Sequence, residues 1–438
     1  MFSVIIPTRN SEKKIAKTLD RLLRQLPFLD DEIIVINDGS SDNTKQVLEP
    51  YEKLKQVKII QQRNLGVSAA RNAGVKQTSS KSKYITFVDD SDSVSDNFFS
   101  VSHNFFFKNP QISIASIPIV TLPDNKQINH TTDINTKTQI INITKQSKEL
   151  QYHIGGVVFK RELFFKDCFA FDENINYWED AKLINSILLD KQDYGILQNA
   201  KYYYDRKDKN SLSQIAWQYH YRYLPQITDN YMPLIQQSIN KYGEVLEYIQ
   251  VLIAKHYISY ILEYNQTKLV DRFIFDNHLF KNKSIELFHH IEPKVIMDLN
   301  IFNRYKYFLY SMKGLSFPNE LYFDNISIYM HDYKFFKKEL TFSLSHHAYG
   351  LSENTEIYIC KKHTKSYKAR IISNDIVQIL RYEIFDISKN KYRMKFSLIK
   401  LLFGTTFHIF DKEYNRNICI HSDPILNRML SNIIKKLK

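Results

Sequence analysis

An α/β fold with a mostly parallel sheet is expected for the N-terminal half of this chain, on two observations. Short β-branched runs alternate with stretches of helical periodicity, which calls for right-handed crossovers and a sheet covered on both faces. Each apolar run also ends in polar residues, and in open sheets of this kind ligands bind outside the carboxyl ends of the strands.

Phe2 to Pro7 is the first strand, and Ser11 to Arg24 follows as a helix with Ile15, Leu19, Leu22, Leu23 and Leu26 at helical spacing. Glu32 to Ile36 is the second strand, closed by Asn37-Asp38-Gly39-Ser40-Ser41-Asp42, with Thr44 to Lys53 helical after it. Val57 to Gln61 is a third strand. Asn64 to Gly74 is a glycine-punctuated loop leading into a helix of small residues. The fourth strand, Tyr84 to Val88, ends in Asp89-Asp90-Ser91-Asp92, three carboxylates within four residues. Buried charge is expensive unless paired or bound to a metal, so this cluster reads either as a divalent-cation site or as a polar surface turn. Thr8, Arg9, Asn10, Asp38 and Asp89 to Asp92 all follow strand ends and should meet in one crevice.

Val4-Ile5-Ile6-Pro7-Thr8-Arg9-Asn10, Asn37 to Thr44, Asn64-Leu65-Gly66 with Ala70-Arg71-Asn72-Ala73-Gly74, and Phe87-Val88-Asp89 together resemble family 2 glycosyltransferases. The resemblance implies a GT-A, Rossmann-like domain that binds a nucleotide sugar. On it, Pro7, Thr8, Arg9, Asn10, Asp38, Asn64, Arg71, Asp89 and Asp90 are expected at the donor, with Asp38 at the base, usually uracil. Arg9 stands where many relatives have Tyr, and its guanidinium plane can stack on a base. A Mn²⁺ or Mg²⁺ ion is implied as well. The family's customary metal Asp is Ser91 here, so Asp89 and Asp92 are the expected ligands, with Ser91 and Asp208 as further members and a shifted Asp90 and Asp92 pair as the alternative.

Tyr152 to Leu163 resembles the family's strand and turn below the acceptor. Glu179-Asp180 opens a helix, Ala181 to Leu189, and resembles the acceptor-side pair in which Asp180 is the catalytic base. A carboxylate pair at a helix start also suits the helix dipole. Tyr202-Tyr203-Tyr204 and the basic stretch after it resemble a segment that closes over the diphosphate, and Arg206 and Ser211 are expected there.

The domain limits expected are 1–213 for the catalytic domain, 214–316 for a helical middle region with tyrosine stripes that read as helix packing, and 317–438 for a β-rich module. Seven strands are expected in that module: Leu321 to Met330, Leu340 to Leu344, Glu356 to Cys360, Ala369 to Ile372, Ile379 to Ile387, Tyr392 to Ile399 and Thr406 to Asp411. Asp423 to Lys438 reads as a basic amphipathic helix, docked on its own domain or lying on an anionic membrane.

The 438 residues include 29 Tyr, 29 Phe and only 10 Gly, which describes a globular chain. Three dispersed cysteines argue against a disulfide framework or zinc site and fit a reducing cytoplasm. Neither a signal peptide nor a membrane span is expected. The net charge of +13 favours an anionic partner, while zinc-finger and RNA-binding signatures are missing, so nucleic acid is not expected. The family resemblance implies a metal-dependent transferase that inverts at the anomeric carbon. The basic charge, with a layout similar to teichoic acid glycosyltransferases, extends the expectation to a cytoplasmic enzyme that acts on a surface polymer such as wall teichoic acid or a capsular glycan. Peripheral membrane contact and self-association through the C-terminal region are secondary expectations. Two alternatives stand beside this reading: a scaffold that binds sugar or polymer without turnover, and transfer to a lipid-linked oligosaccharide.

Overall fold

The computed structural model describes residues 1–128 apart from 27, 139–205, 218–259, 278–315 apart from 302, and most of 326–422. It separates into two compact units, one of Met1–Ile261 with Thr267–Val295 and the other of Leu262–Gln266 with Ile296–Lys438. Most of the helical middle region therefore groups with the N-terminal part, where three segments were expected.

In the first unit the main strands are β1 (Phe2–Thr8), β2 (Glu32–Asp38), β3 (Val57–Gln62) and β4 (Tyr84–Phe87). They are followed by β5 (Ser93–Val94), β6 (Ile114–Ser116), β7 (Ile119–Leu122), β8 (Lys126–Gln127), β9 (Gln139–Asn142), β10 (Val157–Lys160), β11 (Asp193–Ile196) and β12 (Tyr202–Asp205). Helices α1 (Ile15–Gln25), α2 (Thr44–Leu48), α3 (Val67–Lys76), α4 (Phe98–Lys108), α5 (Glu162–Phe165) and α6 (Glu179–Lys191) lie between them. The large sheet has the order β3-β2-β1-β4-β10-β6-β11-β9, parallel from β3 to β4 and antiparallel where β10 joins β4 and β6.

β1 and β2 are buried along their whole length, which is why they read as unbroken apolar runs. Small residues let α3 press onto the sheet, and a Cβ on Gly74 would collide with Ile5. β6 and β7 are parted at Ile117 and Pro118, because proline gives the ladder no donor. β7 then joins β5, β12 and β8 in a second small sheet. Past β12 a π-helix, Gln226–Tyr231, runs into the helix Met232–Tyr242, and Glu247–His256 and His278–His289 follow. Tyr223, Tyr231, Tyr248 and Tyr257 are buried in their packing.

The second unit has helices Pro293–Asp298, which begins at the edge of the first unit, and Asn303–Met312, then strands β13 (Ile328–Lys334), β14 (Glu339–Leu344), β15 (Thr355–Lys361) and β16 (Thr364–Lys368). β17 (Arg370–Ser373), β18 (Val377–Ile379), β19 (Tyr382–Ile384), β20 (Lys391–Lys395), β21 (Thr405–Asp411) and β22 (Arg416–Ser422) complete it. Two four-stranded sheets, β13-β14-β20-β17 and β16-β15-β21-β22, share an apolar core around Phe342, Ile357, Phe407 and Ile409. Of the run Ile379 to Ile387, Ile379 ends β18, Tyr382–Ile384 forms β19 and Ile387 opens a short 3₁₀ turn. Tyr392 to Ile399 stops at Lys395, where Ser397 caps a short helix, Leu398–Phe403, by accepting from the Lys400 N–H. β22 was not expected, because its alternation is interrupted by polar residues. Asp423 to Lys438 lies outside the described residues.

Candidate active site

The carboxyl ends of β1, β2 and β4, where the crevice is expected, lie side by side, and contacts join the end of β4 to α3, α3 to the start of α6, and Asp92 to the end of β12. Asp38 ends β2 and is buried there. Its carboxylate accepts from Gln62 Nε2 (2.7 Å) and from the backbone N–H groups of Leu65 (2.8 Å) and Gly66 (2.9 Å). It thus ties the Asn64 loop to the sheet. Gly39, at φ +68°, permits the close approach, since a Cβ there would sit 2.5 Å from the Asn64 nitrogen. Asn64 and Arg9 are exposed at the mouth. Asn10, at φ +54°, accepts from Ser41 N (2.8 Å) and joins the β1 and β2 loops. Pro7 is buried in β1.

The acidic run divides by direction. Asp90 turns back beneath the β1 loop and accepts from the hydroxyls of Thr8 (2.8 Å) and Ser11. Asp92 is 2% exposed and accepts from the Tyr202 hydroxyl (2.7 Å) and the Asp205 N–H (2.9 Å). Burial, with the neighbouring Asp89 charge, holds the Asp92 carboxyl well above the usual carboxylate range. Asp89 faces outward, its side chain 44% exposed. Asp89 lies near enough for its charge to act on Asp92, and its N–H donates to the Tyr202 hydroxyl (3.2 Å), while Tyr202 and the Asp205 N–H each donate to one Asp92 oxygen. Ser91 lies between, partly exposed.

Among the described residues no three His, Cys, Asp or Glu side chains form a metal cage. The outward Asp89 with Ser91 suits a small divalent ion of the Mg²⁺ type, which keeps waters and needs one or two carboxylates besides the substrate's phosphates. Asp208, Arg206 and Ser211 lie outside the described residues.

Across the crevice, Arg71 from α3 is buried and paired on two sides, 2.7 Å from Glu179 and 3.4 Å from Asp89. Burial opposes its charge, but Asp89, Glu179 and Asp180 outweigh that and keep it ionised. Its guanidinium also lies 5.3 Å from the Phe171 ring centre. Arg71, expected at the donor, thus stands between the carboxylates at the end of β4 and the start of α6.

Asp180 accepts from the N–H groups of Ala181 (2.8 Å) and Ile154 (3.2 Å). Burial raises it and Arg71 pulls it down, with a net upward shift. Glu179 is raised by burial and by Asp180, against Arg71. A carboxylate raised toward neutrality is a better proton acceptor than an ordinary one.

The backbone that presents this pair is strained. Trp178 sits at φ +67°, an unfavourable conformation for a bulky residue. Its indole stacks on His256 at 4.8 Å and meets the edge of Tyr231 at 5.3 Å, and the Tyr231 hydroxyl is 2.5 Å from His256 Nδ1. Asn230 Nδ2 donates to the Tyr177 carbonyl (3.1 Å). Tyr202, Ser11, Trp178 and His256 were not singled out as site residues from the sequence. Only the left-handed Trp178 is a local feature, and no sequence signal marks it.

Residues 3–169 match glycosyl transferase family 2. The minor teichoic acid biosynthesis protein GgaA of Bacillus subtilis is 28% identical over 458 residues, covering 100% of both chains. GgaB of the same organism is 31% identical over 220 residues, 49% of this chain and 24% of that protein. The crystal structure of Staphylococcus aureus TarS overlays 96% of this chain on 77% of its own, with a TM-score of 0.55 at 15% identity. A shorter TarS structure in complex with UDP-GlcNAc covers 72% of this chain and 87% of its own, with a TM-score of 0.56 at 18% identity. The likeness to TarS shows a shared GT-A fold.

Proposed function

We infer that this chain, whose residues 3–169 carry a glycosyl transferase family 2 domain, moves a sugar from a nucleotide diphosphate donor to a hydroxyl of an anionic cell-surface polymer of the teichoic acid class. The observation that carries the reading is the Asp89–Arg71–Glu179 chain of ion pairs, which joins the end of β4 to the start of α6 beside Asp180. The match to GgaA over its full length supports the polymer, and the UDP-GlcNAc complex of TarS supports a uridine donor.

In this reading the acceptor hydroxyl approaches Asp180, which takes its proton as the oxygen bonds to the anomeric carbon. The bond from that carbon to the diphosphate oxygen breaks on the opposite face, giving inversion. The Ala181 and Ile154 N–H groups fix the orientation of Asp180, and Arg71 pairs with Glu179 beside it. Asp89 and Ser91 are the groups that would hold a Mg²⁺ or Mn²⁺ ion, which supplies neutralisation of charge on the diphosphate. Asp38 organises the base-side loop, and exposed Arg9 and Asn64 are the side chains left to meet the nucleotide.

The test is a panel of UDP-, GDP- and CDP-sugars with purified teichoic acid polymer and with a lipid-linked oligosaccharide, following both donor consumption and labelled polymer. Transfer to the lipid-free polymer supports the reading, and transfer only to the lipid-linked acceptor overturns the polymer assignment. Binding of a nucleotide sugar without hydrolysis or transfer under any metal condition overturns the enzyme assignment.

A further inference from the structure

We propose that the edge of the main sheet opposite the crevice, where the strands β1, β2 and β4 begin, is a docking face for an anionic lipid bilayer. Topology gathers four segments there: the link from α1 to β2, the approach to β4, the end of α4, and the turn from β10 into α5.

Two chemistries coincide on this edge. Leu29 is 92% exposed, Phe107 77%, Phe28 49% and Phe165 43%. Large apolar side chains set this far into solvent in one region mark an interaction surface rather than scattered exposure. The region is continuous: His103 makes ring contacts with Phe28 at 6.1 Å, Tyr84 at 6.2 Å and Phe107 at 6.4 Å. Tyr84 pairs in register with Lys160, the Arg161 N–H donates to the Lys83 carbonyl (2.9 Å), and the Arg161 guanidinium lies 3.5 Å above the Phe165 ring.

On this face lies a cavity of about 520 Å³ lined by Tyr84 and Phe165 and by Lys83, Lys160, Arg161 and Lys166 against a single carboxylate, Glu162. Glu162 is exposed and 4.0 Å from Lys160, too long and too solvated to neutralise the group. A basic hollow on the same face as protruding Phe and Leu side chains fits lipid phosphates beside an acyl-chain boundary. A phosphate-bearing polymer would satisfy the cations, yet it would offer nothing to Leu29 and Phe107, and so the bilayer is the occupant the surface favours. Docking by this face leaves the opposite, strand-carboxyl end and its crevice turned away from the lipid. The surface belongs to the first unit and does not involve Asp423 to Lys438, which reads as a helix docked on its own domain or lying on a membrane.

The test uses the full chain and sedimentation with vesicles of phosphatidylcholine alone or with phosphatidylglycerol. The expected result is binding to the anionic vesicles only, weakened at high salt. Lys83→Glu with Lys166→Glu should weaken it by ~10-fold or more, and Leu29→Ser with Phe107→Ser by ~5-fold or more, with melting temperature and donor hydrolysis unchanged. Wild-type protein that ignores anionic vesicles, or double variants that bind as wild type does, would overturn the proposal. Light scattering that shows a dimer lost on Leu29→Ser with Phe107→Ser would assign the face to a second copy instead. Donor hydrolysis on the same preparations reports on the transferase reading separately, so the two can fail independently.

Discussion

Replacing Arg71 by Met tests the ion-pair chain that joins the two sides of the crevice. The Arg71 and Glu179 side chains are 5% and 11% exposed at 2.7 Å, so water compensates little when one is removed. Breaking such a buried pair and leaving the partner charged costs about 3–5 kcal/mol. The Asp89 contact is longer and its carboxylate is 44% exposed, which adds roughly 0–1 kcal/mol. Urea unfolding of Arg71→Met should therefore show a loss of about 3–5 kcal/mol, and adding Glu179→Gln should recover part of it, with a coupling of roughly 1–3 kcal/mol. Arg71 lowers both Glu179 and Asp180, so both rise further without it, and the acidic limb of the transfer rate should move to higher pH. An Arg71→Met protein within about 1 kcal/mol of wild type, or a double variant that loses the full sum, would refute this account of the site.

Four further outcomes are expected. Asp92→Asn puts an amide where two N–H or O–H donors already converge and should lose about 1–3 kcal/mol of stability while Mn²⁺ titration stays as in wild type, whereas Ser91→Asp should tighten Mn²⁺ by roughly tenfold through the added carboxylate. Burial, then Arg222 and His153, depress His256 well below 6.5, so below that pH the unfolded chain binds a proton the folded chain refuses. Thermal stability should fall as pH drops from 6.5, and melts of His256→Asn at pH values either side of that point should show a smaller fall. Gly39→Ala, which forces a Cβ against the Asn64 backbone at φ +68°, should cost more than about 1 kcal/mol in urea titration and weaken nucleotide binding measured by calorimetry.

The first four strands could be read from the chain because a parallel strand buried on both faces is a continuous apolar run, and Val4 to Ile6 and Ile33 to Ile36 are of that kind. The convergence of Thr8, Asp38 and Asp89 followed from the same topology. The direction of each carboxylate did not. Asp90 and Asp92 differ in partner only because Ser11 and Tyr202, 79 and 110 positions away, fold against them. Ser397 misled because it caps a helix that the apolar run conceals. His256 supports Trp178 from a helix 78 positions on in the chain, which no local pattern announces.

The most direct measurement of the central claim is single-turnover transfer by Asp180→Asn with donor and polymer both saturating. Asparagine keeps the size and can still accept from the Ala181 or Ile154 N–H, but it cannot take up the acceptor's proton. A fall of ~10²-fold or more in the rate of the chemical step, with donor affinity retained, is the predicted result. Transfer at the wild-type rate would contradict it and remove Asp180 as the base.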